Sequence, residues 1–276
     1  MVGDDRAMDL PARRARFRTL HESGTFTMPN PHDAGAARML EAVGFDALAT
    51  TSSGFAATLG QRDMTVGRDA LVAHVKALVA ATDVPLNVDA EQCYPHEEGG
   101  VPHTVGLLAE AGASGCSIED WDPLVKRIEP LDVAVGRVRA AAAAADAAGM
   151  VLTARCEHHI RGVDDLDATI ARLRAYQEAG AGCVYAPGLR DLEVIARVVA
   201  EVPAPLNVLL LPGGPTRDEL ASVGVRRLSV GGALAWTAYG ALVRAASALR
   251  DEGRVRAEDL ELDRELMGRA LAPRDA

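Results

Sequence analysis

The sequence lacks most features that would place it in a specialised class. No stretch approaches the roughly 20 uncharged apolar residues that a membrane-spanning helix needs. The opening segment, MVGDDRAMDLPARRARF, has no continuous apolar stretch of the kind a secretory leader carries. The expectation is a soluble, cytoplasmic protein with no membrane partner. Cysteines are few: Cys93, Cys116, Cys156 and Cys183 form neither a CxxC pair nor a zinc-like spacing. Three of them lie in apolar runs, so buried free thiols in a reducing compartment are expected. No cluster of lysine and arginine stands out and the formal net charge is −10, which gives no electrostatic support for a nucleic-acid partner. No Pro/Gly/Ser-rich tract divides the chain, no G-x-G-x-x-G follows the first strand-like run, and Ser53 has no G-x-S-x-G setting. A linker between domains, a dinucleotide crevice and a serine-hydrolase triad therefore lack support.

What the sequence does have is alternation. Eight short apolar runs recur: 26–30, 47–51, 85–90, 115–120, 151–157, 183–188, 205–211 and 227–231. Each is apolar nearly throughout, as parallel strands covered on both faces are. Amphipathic stretches separate them, and six of these end at Gly44, Gly112, Gly149, Gly180, Gly224 and Gly253, the usual helix stop. Eight strand–helix units predict an α/β fold, the closed TIM (β/α)8 barrel, in one domain spanning 1–276. Residues 1–16 read as a lead-in. Residues 255–276 read as an additional C-terminal helix and tail, with the apolar spacing of an element that docks or swaps between subunits.

In such a barrel the chemistry sits at the C-terminal ends of the strands. Asp89, Glu91, Glu119 and Asp120 lie at or just past the ends of the third and fourth runs and would converge at that mouth. Carboxylates cannot stay ionised side by side without a cation, because like charges raise one another's pKa. A hard divalent ion such as Mg2+ (or Mn2+), which needs only one or two direct carboxylates, answers that need. Arg155 follows Val151–Ala154 in the fifth run and offers a rigid fork to a carboxylate or phosphoryl group; the alternative is an internal ion pair with Glu157 or Glu119. His158-His159 is discounted as a metal site, since neighbours on a strand face opposite ways. Cys93 has no base fixed beside it, and Trp121 and Trp236 read as packing residues.

Several segments together carry a resemblance: Asn30-Pro31-His32-Asp33-Ala34, Thr50-Thr51-Ser52-Ser53-Gly54 and Gly60-Gln61-Arg62-Asp63, then Asp89-Ala90-Glu91 and Ser117-Ile118-Glu119-Asp120. Ala154-Arg155-Cys156-Glu157 and Pro205-Leu206-Asn207-Val208, leading to Pro212-Gly213, complete the set. From about Phe17 to Arg250 the chain resembles the isocitrate lyase/phosphoenolpyruvate mutase superfamily. The resemblance implies a metal-dependent barrel and a homo-oligomer, a dimer or a tetramer that exchanges its C-terminal helix. It makes Asp89 the direct metal ligand, with Glu91 and Glu119 ligating directly or through water. Asp63 would lie near metal and substrate, and Arg155 would bind the substrate. The Ser53-Gly54-Phe55 turn would donate hydrogen bonds to its carboxylate or oxyanion.

The reaction so implied is cleavage or decarboxylation of a small 2-oxo acid at a carbon–carbon bond, through an enolate. Phosphorus–carbon chemistry of the phosphoenolpyruvate mutase or phosphonopyruvate hydrolase type passes through the same enolate and is the alternative. Two segments depart from the pattern. The acid–x–acid–x–Gly-Tyr-Gly turn reads Asp89-Ala90-Glu91-Gln92-Cys93-Tyr94-Pro95, and the Lys-x-Cys-Gly gate of the lyases is replaced by Trp121–Arg127. These departures weigh against a standard isocitrate or 2-methylisocitrate lyase. They also open a non-enzyme reading, a lapsed barrel that binds an acidic metabolite. A phosphate-binding isomerase would instead use Gly213-Gly214 and Gly231-Gly232. A Schiff-base aldolase lacks its lysine, because none of the eight runs contains one.

Overall fold

All eight apolar runs become parallel strands in the computed structural model, which describes residues 9–256 and 263–273. The chain begins with α1 (Leu10–Leu20), β1 (Phe26–Met28), α2 (Ala34–Val43), β2 (Leu48–Ala49), α3 (Ser52–Thr58) and α4 (Arg68–Ala81). It continues through β3 (Leu86–Asp89), α5 (Gly100–Glu110), β4 (Gly115–Glu119), a small hairpin of β5 (Trp121–Asp122) and β6 (Arg127–Ile128), and α6 (Leu131–Ala147). Then come β7 (Val151–Arg155), α7 (Leu166–Glu178), β8 (Cys183–Tyr185), α8 (Leu192–Glu201) and β9 (Leu206–Leu209). The chain ends with α9 (Arg217–Ser222), β10 (Arg227–Ser229), α10 (Ala233–Glu252) and α11 (Arg264–Ala270).

The large sheet runs β1-β10-β9-β8-β7-β4-β3-β2, all parallel, which is a barrel opened at one seam. Across that seam Ala49 N–H donates to the Pro29 carbonyl at 3.0 Å and the Asn30 amide to the Thr50 carbonyl at 2.8 Å. Asn30 also accepts from the N–H groups of Val230 (2.9 Å) and Gly231 (3.0 Å), so one side chain stitches three strand ends together. The helices lay their apolar faces on the outside of the barrel and form the main core, with Leu78, Leu108, Leu173 and Ile195 fully buried. The six glycines read as helix stops all adopt positive φ.

Three expectations need correction. The described part of the lead-in is helical from Leu10 on: Leu10–Leu20 is α1, capped by the Asp9 side chain, while residues 1–8 of the predicted lead-in lie outside the described residues. Its Phe17 is fully buried and plugs the N-terminal end of the barrel against Phe26, Ala47, Val151 and Cys183. Gly115 is required there, because a Cβ would stand 2.7 Å from the Phe17 ring. The strands are also shorter than their apolar runs, whose remaining residues fall outside the strands. Finally, Ser53-Gly54-Phe55 is not a turn but the first part of α3, started by the Thr51 side chain accepting from Gly54 N–H. At the other terminus α11 packs on α2 of its own chain, and Arg38 donates to the Ala272 carbonyl. Residues 257–262 and 274–276 of the predicted C-terminal helix and tail lie outside the described residues.

Candidate active site

The strand ends deliver charge to one place. Asp89, Glu119 and Arg155 are the last residues of β3, β4 and β7, and the β4–β7 register sets Glu119 beside Arg155. Arg155 is a hub. Its Nη1 donates to Asp89 Oδ1 at 2.9 Å, and its Nη2 lies 3.1 Å from Glu119 Oε2. Nε and Nη2 both donate to Glu157 Oε1, at 3.1 and 2.8 Å. The internal ion pairs foreseen for Arg155 therefore form, together with a third to Asp89. Burial lowers the pKa of this guanidinium, but Glu157, Glu119 and Asp89 outweigh it and hold the group well above its usual range.

One arginine does not balance this many acids. Burial, then Asp89 and Asp63, push Glu91 up to about 8. Burial raises the Glu119 carboxyl well above the ordinary range despite Arg155, and Glu157, Asp89 and Glu91 add to the shift. Asp63, on the exposed rim, is raised by partial enclosure against a hydrogen bond from Ser52, with Asp89 adding to the rise. The Glu119 Oε1 atom is buried with no hydrogen-bond partner. Such a set of hard oxygen donors with surplus negative charge fits a divalent cation that binds few carboxylates directly and completes its shell with water. Among the described residues no three acidic, histidine or cysteine side chains are gathered in ligating geometry, so a metal needing a full protein cage does not fit.

The turn after Asp89 keeps its special backbone without glycine. Glu91, Cys93 and Tyr94 have φ of 51, 58 and 47°, the left-handed region that non-glycine residues enter at a cost. Neighbouring contacts hold it: Cys93 N–H donates to the Ala90 carbonyl (2.7 Å), and the Tyr94 hydroxyl to the Val66 carbonyl (3.1 Å). The Glu91 carbonyl accepts from Glu119 N–H at 2.9 Å, tying this turn to the next strand end.

A cavity of about 190 Å³ opens beside Asp89 and Arg155, small enough to suit a compact organic acid. Ser52, Ser53 and Asp63 line its rim. Ser52 N–H donates to Asp89 Oδ2 at 3.2 Å. Gly54 N–H is taken by the Thr51 hydroxyl (3.3 Å) and Phe55 N–H by the Thr51 carbonyl (2.9 Å), while the Phe55 ring stacks on His74. Of the predicted trio, Ser53 is the member that faces the cavity. Gly231 and Gly232 line it as well, but Gly213 and Gly214 do not, so the two glycine pairs are not brought together at one phosphate site.

The remaining candidates resolve simply. β7 ends at Arg155, so His158 and His159 are not on a strand; both reach the Thr169 hydroxyl, at 3.1 and 3.3 Å. The four cysteines are buried and free, and burial raises the Cys93 thiol well above its ordinary range, which disarms it as a nucleophile. Where the lyase gate is missing, β5 and β6 form a hairpin with Leu124 and Val125 exposed at its tip. Arg161 stacks on Trp121 of this hairpin with 4.2 Å to the ring centroid, and its Nη2 lies 3.5 Å from Glu157 Oε2. Asp120 turns away from the mouth: it accepts from Glu157 N–H (2.9 Å), the Tyr176 hydroxyl (2.6 Å) and Arg172 (3.2 Å), and so braces Glu157. Of the cavity's polar lining, Asn87, Tyr185, Arg227 and Ser229 escaped notice as site residues in the sequence. Strand alternation over Arg227–Ser229–Gly231 was the available signal for the last two.

Comparison with known proteins bears out the barrel. The model of the family described as phosphoenolpyruvate phosphomutase matches residues 17–250. A solved protein of Burkholderia cenocepacia J2315, provisionally described as a lyase/mutase, is 46% identical with a TM-score of 0.88, over 95% of this chain and 97% of that one. Oxaloacetate acetylhydrolase, solved with its product oxalate, is 27% identical with a TM-score of 0.83, over 94% of each chain. The oxaloacetate decarboxylase of Paraburkholderia xenovorans LB400 is 32% identical over 213 residues, 74% of this chain and 69% of that protein.

Proposed function

This chain belongs to the phosphoenolpyruvate phosphomutase family, and on that premise we propose that it is a divalent-metal-dependent carbon–carbon lyase or decarboxylase of a small 2-oxo acid. The observation that carries the reading is the surplus of buried carboxylate around Arg155 at the mouth of the barrel, beside a cavity sized for such an acid. The relatives named for reactions of oxaloacetate support that substrate class.

Breaking the bond at C3 of a 2-oxo acid leaves an enolate, whose charge must be held as it forms. A cation bound directly by Asp89, and through water by Glu91 and Glu119, would supply Lewis-acid stabilisation of several kcal/mol. Glu157 grips Arg155 through Nε and Nη2, which fixes the fork and leaves Nη1 on the side of Asp89. From there Arg155 binds the substrate carboxylate in competition with Asp89. The Ser53 hydroxyl, 3.3 Å from Thr51 Oγ1, orients the substrate from the cavity lining. Asp63, with its raised carboxyl, holds a proton more readily than a free aspartate and lines the cavity as a proton donor to the enolate.

Oxaloacetate offered with Mg2+ or Mn2+ is expected to turn over, and a chelator is expected to abolish the turnover. Undiminished turnover in chelator would overthrow this assignment. Phosphonopyruvate assayed in parallel separates carbon–carbon from phosphorus–carbon cleavage by the product released. A second reading, the lapsed barrel that binds an acidic metabolite, is favoured by the saturation of Arg155 and by the strained Glu91–Tyr94 turn. Binding of oxalate without turnover of any tested acid selects it.

A further inference from the structure

Arg227 opens β10 and is buried at 2% exposure, on the floor of the same cavity that Arg155 lines from above. Its three nitrogens meet neutral groups. Nε donates to Asn207 Oδ1 at 2.9 Å, Nη2 to Thr153 Oγ1 at 2.8 Å, and Nη1 lies 3.2 Å from His21 Nε2. His21 Nδ1 is 2.7 Å from the Phe17 carbonyl, so the ring donates there and presents its Nε2 lone pair to Arg227. Burial first, and then Arg227 itself, push His21 down to about 3, which keeps the ring neutral.

No aspartate or glutamate among the described residues pairs with Arg227, and burial lowers its pKa. A cation held in the interior without an anion is costly. An arginine carries five N–H donors, so the three acceptors present leave hydrogens for an incoming oxygen. The Asn207 amide meets Ser229 Oγ at 3.0 Å, completing a polar floor of Arg227, Asn207 and Ser229. Arg155 is supplied with carboxylates by the protein itself; Arg227 has none, and the cavity is the open space beside it.

We propose that this floor receives the second carboxylate of the substrate, which makes the substrate a 2-oxo dicarboxylate and not a monocarboxylate. The inference rests on the 2-oxo-acid reading above and narrows it. The first carboxylate and the keto oxygen stay at the level of Arg155 and Asp89, and the distal carboxylate reaches down to Arg227.

Malate and lactate test the idea, because they share a 2-hydroxy acid head and differ in the second carboxylate. Titrated calorimetrically into the full chain with Mg2+, malate should bind tighter than lactate by roughly tenfold or more, as a charge-assisted hydrogen bond implies. Arg227→Gln removes the charge, and Asn207→Asp neutralises it with an isosteric carboxylate at its side. Both variants should bring malate to within about twofold of lactate while leaving lactate binding where it was, a selective loss that general loosening of a fold would not give. Asn207→Asp keeps the test open should Arg227→Gln fail to fold. Equal affinities in the unaltered protein, or a malate preference that survives Asn207→Asp, overturn the proposal. If metal-dependent turnover persists in that case, only the floor assignment is lost; metal-independent turnover sinks the lyase reading instead, and binding of neither acid counts against both.

Discussion

Arg155, partly buried, and Arg227, buried, stand on inward-facing strand positions of one barrel and line one cavity, yet their surroundings are opposite. Arg155 meets Asp89, Glu119 and Glu157, and its pKa is driven up. Arg227 meets an amide, a hydroxyl and a neutral imidazole, and its pKa is driven down. Burial alone acts on both in the same direction, so the difference lies in the partners. The contrast divides the cavity into a mouth with surplus negative charge, which calls for a cation, and a floor with surplus positive charge, which calls for an anion.

The largest effect expected from disturbing this contrast is at the hub. Arg155→Met should lower kcat/KM for oxaloacetate by about 10²- to 10³-fold, the scale of losing one preorganised charged donor. Arg155→Lys should recover little, since an ammonium cannot fork between Glu157 and Asp89. Steady-state kinetics of both variants check this; activity of Arg155→Met within about threefold of the parent would remove its assigned role.

A smaller effect concerns Glu91. Its folded-state pKa of about 8 lies above the ordinary 4.5, so the folded chain holds a proton there that the unfolded chain releases. The stability this contributes is complete below about pH 4.5 and is lost as pH rises through about 8. Metal-free protein should therefore lose on the order of 1 kcal/mol per pH unit from this group across that window. Denaturant melts at stepped pH should show the slope flattened in Glu91→Gln and by saturating Mg2+. An unchanged slope in Glu91→Gln would move the excess negative charge to another residue.

Much of this architecture can be read from the chain because periodicity and punctuation agree. The eight apolar runs and the glycines that end the helices mark the same units, and no helix among the described residues is long and apolar enough to cross a membrane. Asp89, Glu119 and Arg155 could be found because they end apolar runs, where a barrel presents its chemistry. The α1 plug went unread although Asp9 and the nearby proline announce a helix start, because nothing local tells that Phe17 enters the barrel. The α3 helix was missed for a related reason: its Thr51 cap resembles a turn signal when the helix is only seven residues long. Arg227 was invisible as a site residue because a charged residue at the start of a run reads as a strand boundary. Alternation with Ser229 and Gly231 gives its facing, but its level beside Phe26 and Asn207 follows only from the strand pairing, which is a property of the sheet.

The central claim is that the carboxylates at the mouth hold a divalent cation through Asp89. Calorimetric titration of Mg2+ or Mn2+ into the parent chain and into Asp89→Ala tests it directly. Saturable binding in the parent and none in Asp89→Ala is the predicted result; equal isotherms for the two would contradict it.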